Sequence, residues 1–241
     1  TECTIMKVKG SEMMSYVADE SVQIFGGYGY VEDYPAERYY RDARIGRIYE
    51  GTNEINRMLI PGMLLKRAMK GELPLMAAAK KLQDELMEFP MMDEADDEGL
   101  LLEERKLVGN VKKVALFAAG VAVQKFMDKL QDQQAVLGNL ADIIIEAYGM
   151  ESALLRTLKL ASSRGEDNVD VFVKMTQLYV YETIGKVNLW AREVLAACAE
   201  GDELRTMLAA LRRLTRNIPP DTVTMRLEIA DYFIDKEKYE I

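Results

Sequence analysis

Apolar residues along the chain recur at intervals of three and four positions, which is the spacing of one face of an α-helix. In the first segment with this spacing they are Met6, Met13, Met14, Val17, Ala18, Val22 and Phe25. Gly26 and Gly27 predict the end of this helix, and the residues that follow, up to Tyr34, predict a loop. Pro35 suits the first turn of a second helix, which we expect to reach Arg44 or beyond.

The rest of the chain repeats the helical spacing. Thr52 can cap a third helix, which Pro61 and Gly62 should kink or break, and a short helix is predicted over 75–89. Five further helices are predicted at 100–131, 133–163, 168–199, 202–216 and 220–239. No segment alternates with period two for long enough to predict a strand. We therefore predict an all-α protein whose C-terminal part is an additional antiparallel helical bundle.

An acidic segment divides the predicted helices into two groups. Residues 90–99, PMMDEADDEG, contain the most acidic run of the chain and are interpreted as a hinge. With 241 residues the chain is long enough for one large domain or two modest ones. The predicted division is one helical domain over 1–90 and a second over 91–241.

The composition excludes several kinds of chemistry. The chain has no histidine, which excludes His-dependent nucleophile systems and the His-Glu-x-x-His zinc pattern. Cys3 and Cys198 lie far apart, so the sequence predicts neither a metal site nor a disulfide framework, and we expect reduced thiols in the cytoplasm. The net charge of −9 argues against a nucleic-acid binder. Acid–base chemistry must therefore use Glu, Asp, Lys, Tyr or an external cofactor.

Membrane insertion is not predicted, because charged residues interrupt each apolar run before the length of about 18 residues that a span requires. The apolar run 114–123 is interpreted as core packing, with a partner-facing or membrane-facing surface as the alternative. The first residues lack the basic head and apolar block of a signal peptide. Because the sequence begins without Met and enters a helix at once, we expect it to be a fragment of a longer protein.

A single carboxylate stands out in the segment RDARIGRIYEGTNEI, residues 41–55. Glu50 lies between Tyr49 and Gly51, and it is either a solvated charge or a base. A free glutamate has a pKa of about 4.3, which is low for a base near neutral pH, and desolvation raises such a pKa. Gly51 lets the backbone approach a ligand closely. A helix that begins at Thr52 points its free N–H groups at negative charge near this position.

Residues 17–57 resemble the end of the catalytic helical bundle of the flavin-dependent acyl-CoA dehydrogenases. The motifs that carry the resemblance are, in order, Q-x-F-G-G-x-G-Y, Y-P-x-E-R and R-D-x-R-I-x-x-I-Y-E-G-T. The resemblance implies FAD-dependent α,β-dehydrogenation of a fatty acyl-CoA to trans-2-enoyl-CoA, as in fatty acid β-oxidation. It also implies an electron-transfer flavoprotein-like acceptor. In this family the base that removes the α-proton is the Glu of Y-E-G-T, which is Glu50 here.

The same resemblance assigns the remaining site residues. Tyr49 and Gly51 match residues that border the thioester of the substrate. The residues that match FAD contacts, the first five toward the FAD of a neighbouring subunit, are Gln23, Ile24, Phe25, Gly26, Gly27, Thr52, Asn53 and Glu54. Glu54 stands where many members have Gln. The GGYGY sequence itself lacks the third glycine and the preceding strand of a dinucleotide-binding loop.

The C-terminal part resembles the extension of the very-long-chain acyl-CoA dehydrogenases, through LADIIIEAYGMESALLR at 140–156. This resemblance implies a homo-oligomer and membrane contact, although the negative net charge does not favour the membrane. The family's N-terminal helical domain and β domain are absent from the sequence, so we expect this chain alone to bind FAD weakly or not at all and to be inactive. The alternative hypothesis is a non-catalytic helical module for dimerisation or docking.

Overall fold

The computed structural model of the chain describes residues 1–87 and 99–238. Within these ranges the chain forms helices and no strand, which confirms the predicted all-α fold. The predicted hinge at 90–99 lies outside the described residues except for Gly99. The division into domains at residue 90 therefore stays a prediction.

The N-terminal part contains helices that agree with the predicted positions, with two corrections. These helices are α1 (Glu2–Phe25), α2 (Gly27–Tyr30), α3 (Ala36–Ile45), α4 (Asn53–Met69) and α5 (Leu75–Met87). The short helix α2 replaces part of the predicted loop. It forms because Gly29 has no side chain and can pack directly on the backbone of Val22 in α1.

The second correction concerns Pro61, which was predicted to kink or break the third helix. Helix α4 instead continues through Pro61 to Met69. An interior proline lacks the N–H that would donate to the carbonyl four residues earlier, and its ring crowds that carbonyl, which together cost about 3 kcal/mol. Ile60, beside it, is completely buried and packs with Ala141 and Ile145 of the C-terminal part. Tertiary packing therefore holds this helix together across the proline.

The C-terminal part contains the five helices predicted there. They are α6 (Leu102–Phe126), α7 (Gln134–Arg164), α8 (Asp170–Cys198), α9 (Gly201–Leu214) and α10 (Thr222–Lys236), with short 3-10 turns at Met127–Asp132 and Glu166–Asn168. Asn139 and Thr157 of α7 form hydrogen bonds with Glu193 and Thr176 of α8, respectively. Because the partners run in opposite order along the chain, α7 and α8 are antiparallel. The predicted antiparallel bundle is confirmed.

One segment of the described chain, Leu102–Asp132, contains a window of 18 residues with a mean hydropathy of 1.3, which is long and apolar enough to cross a membrane. Lys112 and Lys113 interrupt its apolar residues, as the prediction that charges interrupt each apolar run states. The face of α6 that carries Val114, Ala118 and Ala122 is completely buried against other helices, as the core interpretation of 114–123 predicted. A single helix of this kind is weak support for a membrane span.

Helices α1 and α4 pack onto the bundle through a small apolar cluster. Ile5 and Val8 of α1 meet Ile60 of α4 and Ala141 and Ile145 of α7 in this cluster. Each side chain in it is at most 4 % exposed. The chain segment between α3 and α4, which contains the predicted base, therefore lies beside helices that are fixed to the core.

Candidate active site

Glu50 lies in the turn between α3 and α4, on an unusual backbone. The φ angles of Glu50 and Gly51 are 54° and 82°, so both residues are in the left-handed region. A non-glycine residue with such a backbone costs on the order of 1–3 kcal/mol and persists only where the surroundings enforce it. At Gly51 a Cβ atom would also lie 3.2 Å from the side-chain nitrogen of Asn56. The turn thus requires glycine after Glu50.

Hydrogen bonds from α1, from α4 and to the residues just after α3 hold this turn in place. The carbonyl oxygen of Gly51 accepts hydrogen bonds from Lys7 Nζ of α1 at 2.6 Å and from Asn56 Nδ2 of α4 at 2.8 Å. The N–H of Asn53 donates to the carbonyl of Arg47, just after α3, at 3.1 Å. These bonds explain how the strained backbone at Glu50 is maintained.

The side chain of Asn53 is completely buried and bonded within the protein. Its Oδ1 accepts a hydrogen bond from Lys7 Nζ at 2.8 Å, and its Nδ2 donates to Ser11 Oγ at 3.0 Å and to Glu12 Oε1 at 3.2 Å. Its amide is therefore engaged by α1. If Asn53 contacts the cofactor, as the sequence predicts, its backbone atoms must make that contact.

Thr52 caps α4, as predicted, because its Oγ1 accepts a hydrogen bond from the N–H of Ile55 at 3.2 Å. Glu54 is exposed in the first turn of the same helix. A backbone hydrogen bond at this helix end lowers the pKa of Glu54, and a hydrogen bond with Thr52 lowers it further. The start of α4 thus favours negative charge.

Tyr49 and Glu50 are exposed and line one side of an open groove of about 610 Å³. Helices α1 and α3 provide most of its other walls. The groove residues besides Tyr49 and Glu50 are Lys7, Gly10, Ser11, Met14, Val17, Ala18, Ser21, Tyr39, Asp42, Ala43 and Gly46. In the described part of the chain, no cluster of carboxylates and cysteines could hold a metal ion. The groove presents a carboxylate beside mixed apolar and polar walls.

The segment Gln23 to Gly27 lies at the C-terminal end of α1, away from Glu50. Ile24 and Phe25 are 82 % and 49 % exposed, and Gly26 has a φ of 61°. A Cβ atom at Gly26 or Gly27 would meet nothing within 4 Å. From Lys7 to Gln23 the helix rises about 24 Å. The chain therefore presents the two groups of predicted FAD contacts as separate surfaces.

A cluster of charged side chains joins the helices below the Glu50 turn. The guanidinium of Arg57 in α4 binds both carboxylate oxygens of Glu12 in α1, at 2.8 and 3.0 Å, and its Nε donates to Asp142 Oδ1 in α7 at 2.8 Å. Burial raises the pKa of Asp142 despite this contact. For Glu12 burial acts in the same direction, but hydrogen bonds from Arg57 and Asn53 outweigh it and lower the pKa.

Sequence reasoning missed Lys7, Asn56 and Gly29 as parts of the site. Lys7 is 44 positions from the carbonyl that it binds, so no local pattern could reveal it. Gly29 did carry a signal, since it belongs to the GGYGY sequence. A Cβ atom there would lie 2.6 Å from the carbonyl oxygen of Val22 and 2.8 Å from the Cβ of Phe25.

We expect Gly29→Ala to destabilise the protein by about 1–3 kcal/mol, because the added methyl group overlaps with backbone atoms that cannot move easily. The exposed segment around Phe25 would shift with it. Thermal unfolding of the full-length protein measures the effect. Gly185→Ala is the matched control: a Cβ atom at Gly185 in α8 meets nothing within 4 Å, and alanine favours a helix, so this variant should be slightly stabilised. Equal melting temperatures for the two variants would contradict the close packing at Gly29.

The helical fold and the Glu50 turn point to one class of protein, and comparison with known protein families points to the same class. Two family models, both described as "Acyl-CoA dehydrogenase, C-terminal domain", match residues 1–65 and 110–213. Together they span more than half of the chain. The chain belongs to the acyl-CoA dehydrogenase family, and it corresponds to the C-terminal region of that family.

Individual relatives agree with this assignment. A probable acyl-CoA dehydrogenase of Bacillus subtilis (strain 168) is 46% identical over 240 residues, which are 100% of this chain and 40% of that protein. The crystal structure of an acyl-CoA dehydrogenase complexed with FAD from Bacillus anthracis superposes with a TM-score of 0.95 at 44% identity, again over 100% of this chain and 40% of the other.

Another relative matches a shorter part of the chain. The caffeyl-CoA reductase-Etf complex subunit CarC of Acetobacterium woodii is 47% identical over 66 residues, which are 27% of this chain and 17% of that protein. This chain thus spans well under half the length of the relatives that it matches.

Proposed function

We propose that the protein containing this chain catalyses the FAD-dependent α,β-dehydrogenation of a fatty acyl-CoA to trans-2-enoyl-CoA, a step of fatty acid β-oxidation. In this proposal Glu50 is the base that removes the α-proton. The observation that carries the proposal is the turn itself. Glu50 is held at positive φ by bonds from neighbouring helices and lies at the edge of a groove, where a solvated surface glutamate would need no such support.

The turn and the start of α4 provide the groups that proton removal requires. Glu50 accepts the proton while negative charge develops on the thioester oxygen, and the N-terminal end of α4 favours that charge. Tyr49 and Gly51 border the thioester. FAD, when bound, supplies the acceptor for the hydride that leaves the β-carbon. A thioester and a flavin that cover Glu50 would exclude water and strengthen it as a base.

The exposed end of α1 supports the proposal that FAD is shared between subunits. Ile24 and Phe25 offer an apolar surface, and Gly26 and Gly27 leave the backbone open to close approach. A flat cofactor that contacts both this surface and backbone fits these features. Because this segment and the Thr52 to Glu54 segment are separate surfaces of one chain, we propose that they contact FAD molecules of different subunits in a homo-oligomer.

The electron acceptor and location are also proposals. A relative whose name places it in a complex with Etf supports an electron-transfer flavoprotein-like acceptor. The two free cysteines support a cytoplasmic location. Because the chain spans 40% of its Bacillus relative, we propose that it is inactive alone. A non-catalytic docking module is not favoured, because such a module needs no carboxylate on a supported turn.

The test is an anaerobic titration of the full-length protein with saturated acyl-CoA thioesters of short, medium and long chains. We expect loss of the absorbance of the oxidised flavin and formation of trans-2-enoyl-CoA in equal amount. A protein that binds flavin but is not reduced by any acyl-CoA would contradict the proposed reaction. A protein that purifies without flavin as a stable dimer would support the docking module instead.

A further inference from the structure

We propose that Lys7 is a positioning residue for the Glu50 carboxylate, which deepens the proposed function and depends on it. Lys7 lies in α1 and lines the same groove as Glu50. Its ammonium group donates to the carbonyl of Gly51, the residue directly after Glu50, and to Oδ1 of Asn53, the first residue of α4. Lys7 therefore connects both sides of the turn to a helix that is fixed to the core.

The two hydrogen bonds at the Gly51 carbonyl are not equivalent. The bond from Asn56 comes from five positions along the chain, within the helix that the turn itself begins. The bond from Lys7 comes from another helix. Asn53 and Arg57 hold the start of α4 to α1 through Ser11 and Glu12. At the Gly51 carbonyl, next to Glu50, the Lys7 bond is the one that reaches α1.

The charge of Lys7 is directed at neutral oxygens. The described residues include no carboxylate within ion-pair distance of its ammonium group. Hydrogen bonds from a charged donor to a carbonyl are stronger than neutral ones. Because an ammonium group has three donors and no acceptor, it can hold two oxygens at once without competing for the proton that Glu50 receives. These properties suit a group that orients the base and takes no part in proton transfer.

Lys9 provides a matched comparison on the same helix. It is half-buried like Lys7 and forms an ion pair with Glu146 of α7 at 2.6 Å. This contact joins α1 to the bundle but does not involve the Glu50 turn. Removal of the Lys7 ammonium group takes two hydrogen bonds away from α1, and removal of the Lys9 group takes one ion pair away. Only removal of the Lys7 group should change the geometry at Glu50.

The experiment compares Lys7→Met, Lys7→Arg and Lys9→Met in the full-length flavin-containing protein. For Lys7→Met we expect the rate of flavin reduction by acyl-CoA to fall about tenfold to a hundredfold, with KM little changed, because small displacements of a reacting group have effects of this size. Lys7→Arg retains donors and should recover part of the rate. Lys9→Met should lower the melting temperature but keep the wild-type rate.

Hydrogen exchange followed by mass spectrometry gives a readout independent of activity. In Lys7→Met the amides of Gly51 to Asn53 should exchange faster than in the wild type, and in Lys9→Met they should not. Equal rate losses in the two Met variants, or a loss confined to KM, would overturn the role of Lys7. If the wild type fails to reduce flavin at all, the proposed function fails, while the exchange data still show whether Lys7 holds the turn.

Discussion

Replacement of Glu50 by Gln is expected to slow flavin reduction by acyl-CoA by about 100- to 10,000-fold, the range for loss of a general base. Glutamine has nearly the same size, so the turn and the bound flavin should remain. It cannot accept a proton at its amide, and the α-proton would then lose the acceptor that borders the thioester. Rapid mixing of the full-length variant with acyl-CoA under anaerobic conditions, followed by flavin absorbance, measures the rate.

Glu203→Gln is the matched control for this variant. Glu203 is also exposed and lies in the first turn of a helix, α9, but it is not part of the groove. The control variant should reduce its flavin at the wild-type rate. If Glu50→Gln reduced flavin as fast as the control, the proton would have to go elsewhere, and the function given to the turn would be wrong.

Replacement of Arg57 by Met is expected to have the largest effect on stability. Its guanidinium pairs with Glu12 and Asp142, and the side chains of Arg57, Glu12 and Asp142 are 19%, 32% and 21% exposed. Loss of the arginine leaves two half-buried carboxylates without the cation that pairs with them. Because the exposure of these side chains is intermediate between that of fully buried ion pairs and that of surface ion pairs, we expect a loss of about 2–3 kcal/mol in the free energy of unfolding. Urea denaturation of the full-length protein at neutral pH measures it.

The loss of stability in Arg57→Met should be larger at neutral pH than in acid. Burial already raises the pKa of Asp142 in the wild type, and without Arg57 it would rise further. A carboxyl group with a raised pKa in the folded state favours folding when protonated, so its unfavourable contribution appears as pH rises through that pKa. The Arg57→Met defect should therefore be largest at neutral pH and smaller in acid.

Arg192→Met is the control for the stability experiment. Arg192 is exposed on α8, and a surface substitution of this kind changes stability by no more than about 0.5 kcal/mol. If the Arg57 variant behaved like the Arg192 variant at neutral pH, the cluster would contribute little to the attachment of α4. A defect that grew in acid would contradict the burial of Asp142.

The helices could be predicted from sequence because each has an apolar face with regular spacing. The predicted break at Pro61 was wrong, since the completely buried Ile60 stabilises α4 across the proline, and burial by distant residues is not visible in a local pattern. The predicted loop at Gly27–Tyr30 was also wrong. There, contact between Gly29 and Val22 decides the structure.

The candidate site also has one part that the local sequence indicates and another part that depends on distant residues. Glu50 and its neighbours could be proposed as site residues from the sequence because their motif is continuous. The support of the turn was not identified, because it depends on Lys7, 44 positions away, and on a buried Asn53 that could be seen only in three dimensions. The local sequence indicates that Glu50 is the candidate base, and the packing of α1 against α4 shows which contacts hold its turn in place.

The most direct test of the role of Glu50 is exchange of the α-protons of a bound thioester with deuterated water. An acyl-CoA whose β-methylene is replaced by sulfur has no β-hydride to lose, so proton removal is observed without oxidation. Mass spectrometry follows the uptake of deuterium. We predict that the α-protons of the bound thioester exchange in the full-length wild type. In Glu50→Gln the exchange rate should fall by about 100- to 10,000-fold, like the rate of flavin reduction. Equal exchange in the two proteins would contradict proton removal by Glu50.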